Sequence, residues 1–246
     1  MIDFHTHLDL YPDALSVARE TSVKNTFTLA VTTSPRAWVT TSRVLGFLPR
    51  IRIALGLHPE IVEAKASERE LLLQSVCKAD FVGETGLDGS GRHRESFAIQ
   101  VSIFDELLEE CAVQGGRIMS IHSRGAVKQV LDLLEKHPDA GTPVLHWFSG
   151  TKAELARAVE RGCWFSFGPA GAVSKAGKDI LSLLPLNRLL PESDGPFGKI
   201  GGSNVMPWQA VSIISDMCAL RGLDREFLKN QFKSNLRELL MVNGLT

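Results

Sequence analysis

The sequence predicts an α/β chain of the TIM (β/α)8-barrel type, a single domain over residues 1–246, and three observations predict it. Eight short β-rich runs alternate with longer stretches of helical spacing from one end to the other. The length of 246 residues suits eight βα units, whereas a doubly wound sheet usually needs fewer strands. No linker, charge run or low-complexity tract marks a second domain.

The predicted strands are residues 1–7, 26–32, 50–57, 81–87, 117–122, 143–148, 163–168 and 188–193. Between them, segments such as 97–113 and 126–136 repeat apolar residues at helical spacing. Turn residues close these helices: Gly115-Gly116 the fourth, Pro138-Asp139-Ala140-Gly141 the fifth, Gly162 the sixth and Pro185 the seventh. Two further helices, 207–220 and 224–240, finish the chain. The loop 197–207, with Gly198, Gly201 and Gly202, reads as a mobile segment.

Composition narrows the classes. Lys and Arg number 27 against 28 Asp and Glu, for a net charge of -1, so any phosphate recognition must be local rather than a global basic field. A hydrophobic content of 44% excludes disorder. The opening Met1-Ile2-Asp3-Phe4-His5 lacks the basic and apolar regions of a secretory signal, and no apolar run reaches the ~18 residues of a membrane span. Cys77, Cys111, Cys163 and Cys218 are widely spaced without a Cys-x-x-Cys pair, which reads as four reduced thiols, at least two of them buried, in a cytoplasmic protein.

The chemistry lies at the predicted strand ends. His5 and His7 are two apart on one strand, and side chains at i and i+2 share a face, so both imidazoles can reach one ion. Glu84 lies in the fourth strand, His122 ends the fifth, His146 the sixth and Asp194 the eighth. A lone strand-end His is more often a hydrogen-bonded structural residue, and a lone carboxylate a cap or a solvated group. Here that reading must be repeated at five strand ends, which in a barrel meet around one mouth. Four imidazoles and two carboxylates suit zinc or another first-row divalent ion. Six ligands exceed one tetrahedral site and favour two metals about 3.5–4 Å apart with a bridging carboxylate.

These segments resemble the TatD family of metal-dependent deoxyribonucleases, a branch of the amidohydrolase-like barrels. The resemblance is carried by Asp3-Phe4-His5-Thr6-His7-Leu8-Asp9, Gly56-Leu57-His58-Pro59, Gly83-Glu84-Thr85-Gly86-Leu87-Asp88, Ile121-His122-Ser123-Arg124, His146-Trp147-Phe148-Ser149-Gly150 and Glu192-Ser193-Asp194-Gly195-Pro196, with Asn235-Leu236-Arg237-Glu238-Leu239 in the last helix. It implies that His5, His7 and Asp194 bind one metal, that His122 and His146 bind a second, and that Glu84 bridges both. The ions would be zinc, magnesium or manganese. Three departures stand out. Glu60 replaces a second His after Gly-x-His-Pro, Gly195 replaces Ser or Ala after Asp194, and Gly89-Ser90-Gly91-Arg92-His93 lacks the usual aromatic residues. Residues 7–15 and 32–38 resemble a narrower group, the TatD-like component of the bacterial Qat anti-phage defence system.

The resemblance implies a 3′ exonuclease on single-stranded DNA ends, using a water activated by two metals, with protein partners from a defence operon. Asp194 is the expected proton acceptor and Glu84 the shared carboxylate of catalysis; His58 and Arg124 are candidates to hold the phosphate. For His58 a hydrogen-bonded strand-end His is an equal alternative, and for Arg124 a surface ion pair. His93 and His137 read as solvent-facing, and Trp38 and Trp208 as stacking platforms on the side of the mouth. The ligand set alone also fits a hydrolase of a small ester, lactone or amide. A barrel acting mainly as a binding subunit has no physical need of six ligands. A Gly-x-Ser-x-Gly elbow and a Gly-rich phosphate loop are both missing from the sequence.

Overall fold

A computed structural model describes residues 1–245. Its parallel strands follow the predicted order: β1 (Ile2–Thr6), β2 (Phe27–Val31), β3 (Ile51–Ala54), β4 (Phe81–Gly86), β5 (Arg117–His122), β6 (Gly141–His146), β7 (Trp164–Phe167) and β8 (Leu189–Pro191). The helices are α1 (Ala14–Lys24), α2 (Pro35–Leu45), the short α3 (Val62–Lys65), α4 (Arg69–Ser75), α5 (Phe97–Val113), α6 (Val127–Lys136), α7 (Lys152–Glu160), α8 (Lys175–Leu183), α9 (Ile213–Arg221) and α10 (Arg225–Val242). The predicted helix at 207–220 is divided: Pro207–Ser212 is a 3-10 helix and only Ile213 onward is α.

The chain divides into two compact units. The first comprises Met1–Ala30, Val44–Arg52 and the residues from Phe165 onward. Here β1 pairs in parallel with β2, Ile2 opposite Phe27, and β7 with β8, Phe165 opposite Leu189. The first and last strands lie side by side. Asp194 N–H donates to His5 O (2.9 Å), and His7 N–H to Gly195 O (2.8 Å). Every residue of β1 and β2 is buried, as expected of parallel strands covered on both faces. Phe4 stacks on Phe27 with ring centroids 5.9 Å apart.

Helix α10 closes this unit. Its start is capped by Asp224, whose carboxylate accepts the Phe227 N–H (2.9 Å), and it buries Leu228, Phe232, Leu236 and Leu239 at helical spacing. Between those apolar residues lies Asn235, wholly buried, whose amide donates to Leu186 O and Leu189 O, both at 2.8 Å. Those carbonyls lead into β8, so one amide fixes the last helix to the strand that precedes Asp194.

The second unit comprises Val31–Arg43 and Ile53–Trp164. Its strands β4, β5 and β6 are parallel and adjacent in that order, with Gly86 opposite His122 and Ile121 opposite Leu145. Leu55, just after β3, bridges to Val82. Thr32 ties the edge together: its backbone pairs with Gly83 O and Glu84 N, and its hydroxyl donates to Ala54 O and accepts the Gly56 N–H. Gly83 has no room for a side chain, because a Cβ there would come within 2.9 Å of Ser120. Helix α5 covers this unit with Ile103, Phe104, Leu107, Leu108 and Cys111, all buried.

The structure adds a hairpin to one predicted loop and corrects three sequence readings. The 197–207 loop contains an antiparallel hairpin, β9 (Lys199–Ile200) and β10 (Ser203–Asn204), turned by Gly201-Gly202 at positive φ. His137 does not face solvent: its Nε2 lies 2.7 Å from Asp105 Oδ1 and only 13% of its side chain is exposed. His93 faces Glu60. Trp208 lies beneath Lys24 Nζ (4.1 Å to the ring), at the end of the unit where β1 begins, away from His5 and His7. Cys111 and Cys163 are buried, and none of the four cysteines forms a disulfide.

Asn235→Ala should lower stability by about 2 kcal/mol or more, because two buried carbonyls lose their donor. A leftward shift of the urea midpoint with unchanged slope would register it.

Candidate metal centre

In the first unit β1 delivers His5, and His7 follows immediately after it; the turn after β8 delivers Asp194. All three are buried. One carboxylate oxygen, Asp194 Oδ1, lies 3.6 Å from His5 Nε2 and 3.8 Å from His7 Nε2. These separations are too long for hydrogen bonds and suit donors about 2 Å from a shared divalent ion. Asp194 holds φ at +48°, a left-handed conformation that Asp tolerates better than most residues and that clusters at functional sites. The exposed Phe197 sets its ring edge-to-face on His7, centroids 5.1 Å apart.

Asp3, behind this group, has a role that its place in the sequence does not reveal. Its Oδ1 accepts the backbone N–H of Ser193 (2.9 Å) and of His5 (3.2 Å), and its Oδ2 bonds the Ser193 hydroxyl (2.6 Å). Burial pushes its carboxyl well above the usual carboxylate range, against the lowering effect of those bonds. The Gly195 departure has a structural cause. A Cβ at this position would fall 1.9 Å from the Tyr11 hydroxyl, which occupies that space and donates to Val205 O (3.3 Å).

In the second unit Glu84, His122, His146 and His58 gather around one atom. Glu84 Oε1 is 2.8 Å from His122 Nδ1, 3.2 Å from His58 Nε2 and 3.6 Å from His146 Nε2. His58 Nδ1 accepts the Glu60 N–H (3.1 Å), so its ring is both hydrogen-bonded at the strand end and directed at Glu84. Arg124 is exposed in the loop after β5, and its carbonyl accepts the Gly89 N–H (2.8 Å). Glu84, His58 and His122 therefore form a donor set that fits a first-row divalent cation, with His146 Nε2 3.6 Å from the same Glu84 oxygen.

Sequence reasoning missed Asp88, whose Oδ2 lies 2.8 Å from His122 Nε2. The pair orients the His122 ring so that Nδ1 faces Glu84, the carboxylate–histidine arrangement that positions metal ligands. Gln100, buried on α5, accepts the Asp88 N–H (2.8 Å) and so fixes the loop. The signal was present in Gly86-Leu87-Asp88, directly after the ligand-bearing strand, but an isolated Asp there also reads as a cap. Burial acts to lower the His122 pKa, yet the bonds to Asp88 and Glu84 outweigh it and push it up to about 9. The same contact, with Ser90, holds Asp88 well below the usual carboxylate range despite burial.

Clustered imidazoles and carboxylates at the ends of parallel strands make a candidate divalent-metal centre. The model of TatD-related DNases matches residues 2–241. An uncharacterized metal-dependent hydrolase TatD of Mycobacterium tuberculosis is 30% identical over 224 residues, 80% of each chain. A 3′-5′ ssDNA/RNA exonuclease TatD of Enterobacter lignolyticus is 28% identical over 204 residues, 76% of each. The crystal structure of YjjV, a TatD homologue from Escherichia coli K12, superposes with a TM-score of 0.85 at 26% identity, over 97% of both chains. The chain belongs to the TatD-related DNase family. It is a metal-dependent hydrolase with the α/β, TIM-barrel-type fold predicted from the sequence.

Two expectations follow. In metal-free protein the His122 imidazole should titrate near 9 rather than 6.5, and Asp88→Asn should move it down, as read from histidine ring NMR shifts. Its folded pKa is raised, so the stability it contributes is fully present below about 6.5 and lost as the pH rises through about 9, on the order of 3 kcal/mol at most. Gly195→Ala should cost about 1–3 kcal/mol by overpacking against Tyr11, and adding Tyr11→Phe should recover part of the loss in a thermal melt.

Proposed function

We propose that this hydrolase cleaves phosphodiester bonds of DNA, removing nucleotides from single-stranded 3′ ends. The observation that carries the reading is the convergence of three imidazoles on Glu84 Oε1, together with the paired histidines facing Asp194. The relative that matches over 76% of its length and is named a 3′-5′ ssDNA/RNA exonuclease supports the choice of substrate.

In this reading the first unit holds one divalent ion on His5, His7 and Asp194, and the second holds another on Glu84, His122 and His146, the ions being zinc, magnesium or manganese. Bound metal would polarise the phosphoryl oxygen and lower the pKa of a water to neutrality. The chain's own residues do the rest. Asp194 accepts the proton of the attacking water through its carboxylate, and Asp88 keeps the His122 ring aimed at Glu84. His58 and Arg124 bind the phosphate, the first from a fixed ring and the second as an exposed guanidinium free to form a bidentate contact. Phe197, more than half exposed beside His7, offers a face for a terminal base.

The loop segments at residues 7–15 and 32–38 support a narrower role, a cytoplasmic component of a Qat-type anti-phage system that works with protein partners from the same operon. No helix among the described residues is long and apolar enough to cross a membrane. The net charge of -1 keeps a small ester, lactone or amide as the second reading, since a polyanion gains no global attraction.

End-labelled single-stranded DNA, RNA and duplex, incubated with metal-loaded enzyme, should distinguish these. The expected result is metal-dependent loss of single nucleotides from the 3′ end of single strands. His122→Ala and Glu84→Gln should each reduce the rate at least ~100-fold. Hydrolysis of small esters or lactones with intact DNA would replace the nuclease reading. Cleavage untouched by either substitution would refute the assigned ligands.

A further inference from the structure

A third cluster of donors lies in the second unit, apart from the Glu84 group. Glu60 follows His58-Pro59 after β3, while Asp88 and His93 come from the segment after β4. One ligand atom from each lies within 4.8 Å of the others. Two of the family departures, Glu60 in place of a histidine and a non-aromatic 89–93 segment, are therefore not independent: they meet here.

The local bonding leaves this cluster incomplete as a protein-only arrangement. Ser90 N–H donates to Asp88 Oδ1 (2.8 Å) and His93 N–H to Ser90 O (3.0 Å), so the turn presents the His93 ring toward Glu60. Yet His93 Nε2, inaccessible to water, has no hydrogen-bond partner, and its closest approach to Glu60 Oε1 is 3.7 Å. A buried imidazole nitrogen left unpartnered costs stability unless a ligand meets it. Asp88 is wholly buried, and its carboxylate still has lone pairs beyond those used by Ser90 and His122. Two carboxylates opposed to an imidazole nitrogen repel an anion and attract a cation. One nitrogen with two oxygens is a donor set for Zn2+ or Mn2+, with a position left for water.

We propose that Glu60, Asp88 and His93 form an additional divalent-cation site, separate from the two donor groups of the proposed function and taking zinc in preference to magnesium. Asp88 then has two partners, the cation through Oδ1 and His122 through Oδ2, so filling this site draws charge from the carboxylate that orients His122.

The test is metal stoichiometry on the full chain. Chelator-stripped protein is titrated with Zn2+ against a chromophoric competitor, for wild type, His93→Ala, Glu60→Gln and His122→Ala. The expected result is one equivalent of zinc lost in His93→Ala and Glu60→Gln but retained in His122→Ala, with a zinc-induced shift of the His93 Nε2 resonance in wild type. Retention in His122→Ala separates this site from the proposed centre, whatever that centre's fate. Glu60 is partly exposed, so Glu60→Gln carries the test if His93→Ala fails to fold. Equal stoichiometry and affinity in wild type, His93→Ala and Glu60→Gln, or a His93 resonance unmoved by zinc, would overturn the proposal.

Discussion

The carboxylate of Asp3 lies wholly out of water and takes its bonds from two backbone N–H groups and one hydroxyl, of which the Ser193 pair comes from 190 residues away. Burying a charge-capable group is costly unless its lone pairs find donors, and here the two Ser193 donors exist only when the end of β8 lies against β1, the third coming from His5 on β1 itself. That single requirement sets the register of the two strands. It then sets where His5, His7 and Asp194 stand, since Asp194 N–H bonds to His5 O. Asn235 acts on the other end of β8 in the same way, with an amide in place of a carboxylate. The first donor group is thus a by-product of backbone satisfaction rather than of attraction among its own side chains.

The second group is arranged on the opposite principle. Glu84 stands among imidazoles, and the attraction is between the functional groups themselves. Without a cation His122 takes up a proton and serves as the counter-charge for both Glu84 and Asp88, which is why its pKa rises. An imidazole can ligate a cation only through a deprotonated nitrogen, so a cation taken up by this group would exchange for the His122 proton. Thr32, Gly83 and Gln100 hold the backbone for that exchange, each by a bond that involves no donor atom.

How much of this was legible follows from what each signal depends on. The eight strands were readable because buried parallel strands are short apolar runs bounded by turn residues, a local property; β4 begins and β5 spans where their runs do. The hairpin at 199–204 was passed over because its strands are two residues each and exposed, leaving only Gly201-Gly202 as a sign. His93 and His137 were misplaced because burial by Glu60 and Asp105 comes from residues more than 30 positions away, beyond any local pattern. Gly195 stands out in the sequence only as a departure, because Tyr11, which fills the space of its Cβ, lies far away in the chain. The strand-end histidines were noticeable by their repetition, whereas Asp3 and Asp88, which position them, each appear once and resemble ordinary caps.

The adjacency of β1 and β8 also bears on synthesis. A ribosome releases His5 and His7 among the first residues and Asp194 only after about four-fifths of the sequence, so the nascent polypeptide carries the two histidines long before the carboxylate that faces them. The first strand must wait, unpaired on that side, until the last arrives. A chain halted by premature termination anywhere before β8 would keep both histidines but lack the carboxylate of this group. The group is complete only once β8 has been made.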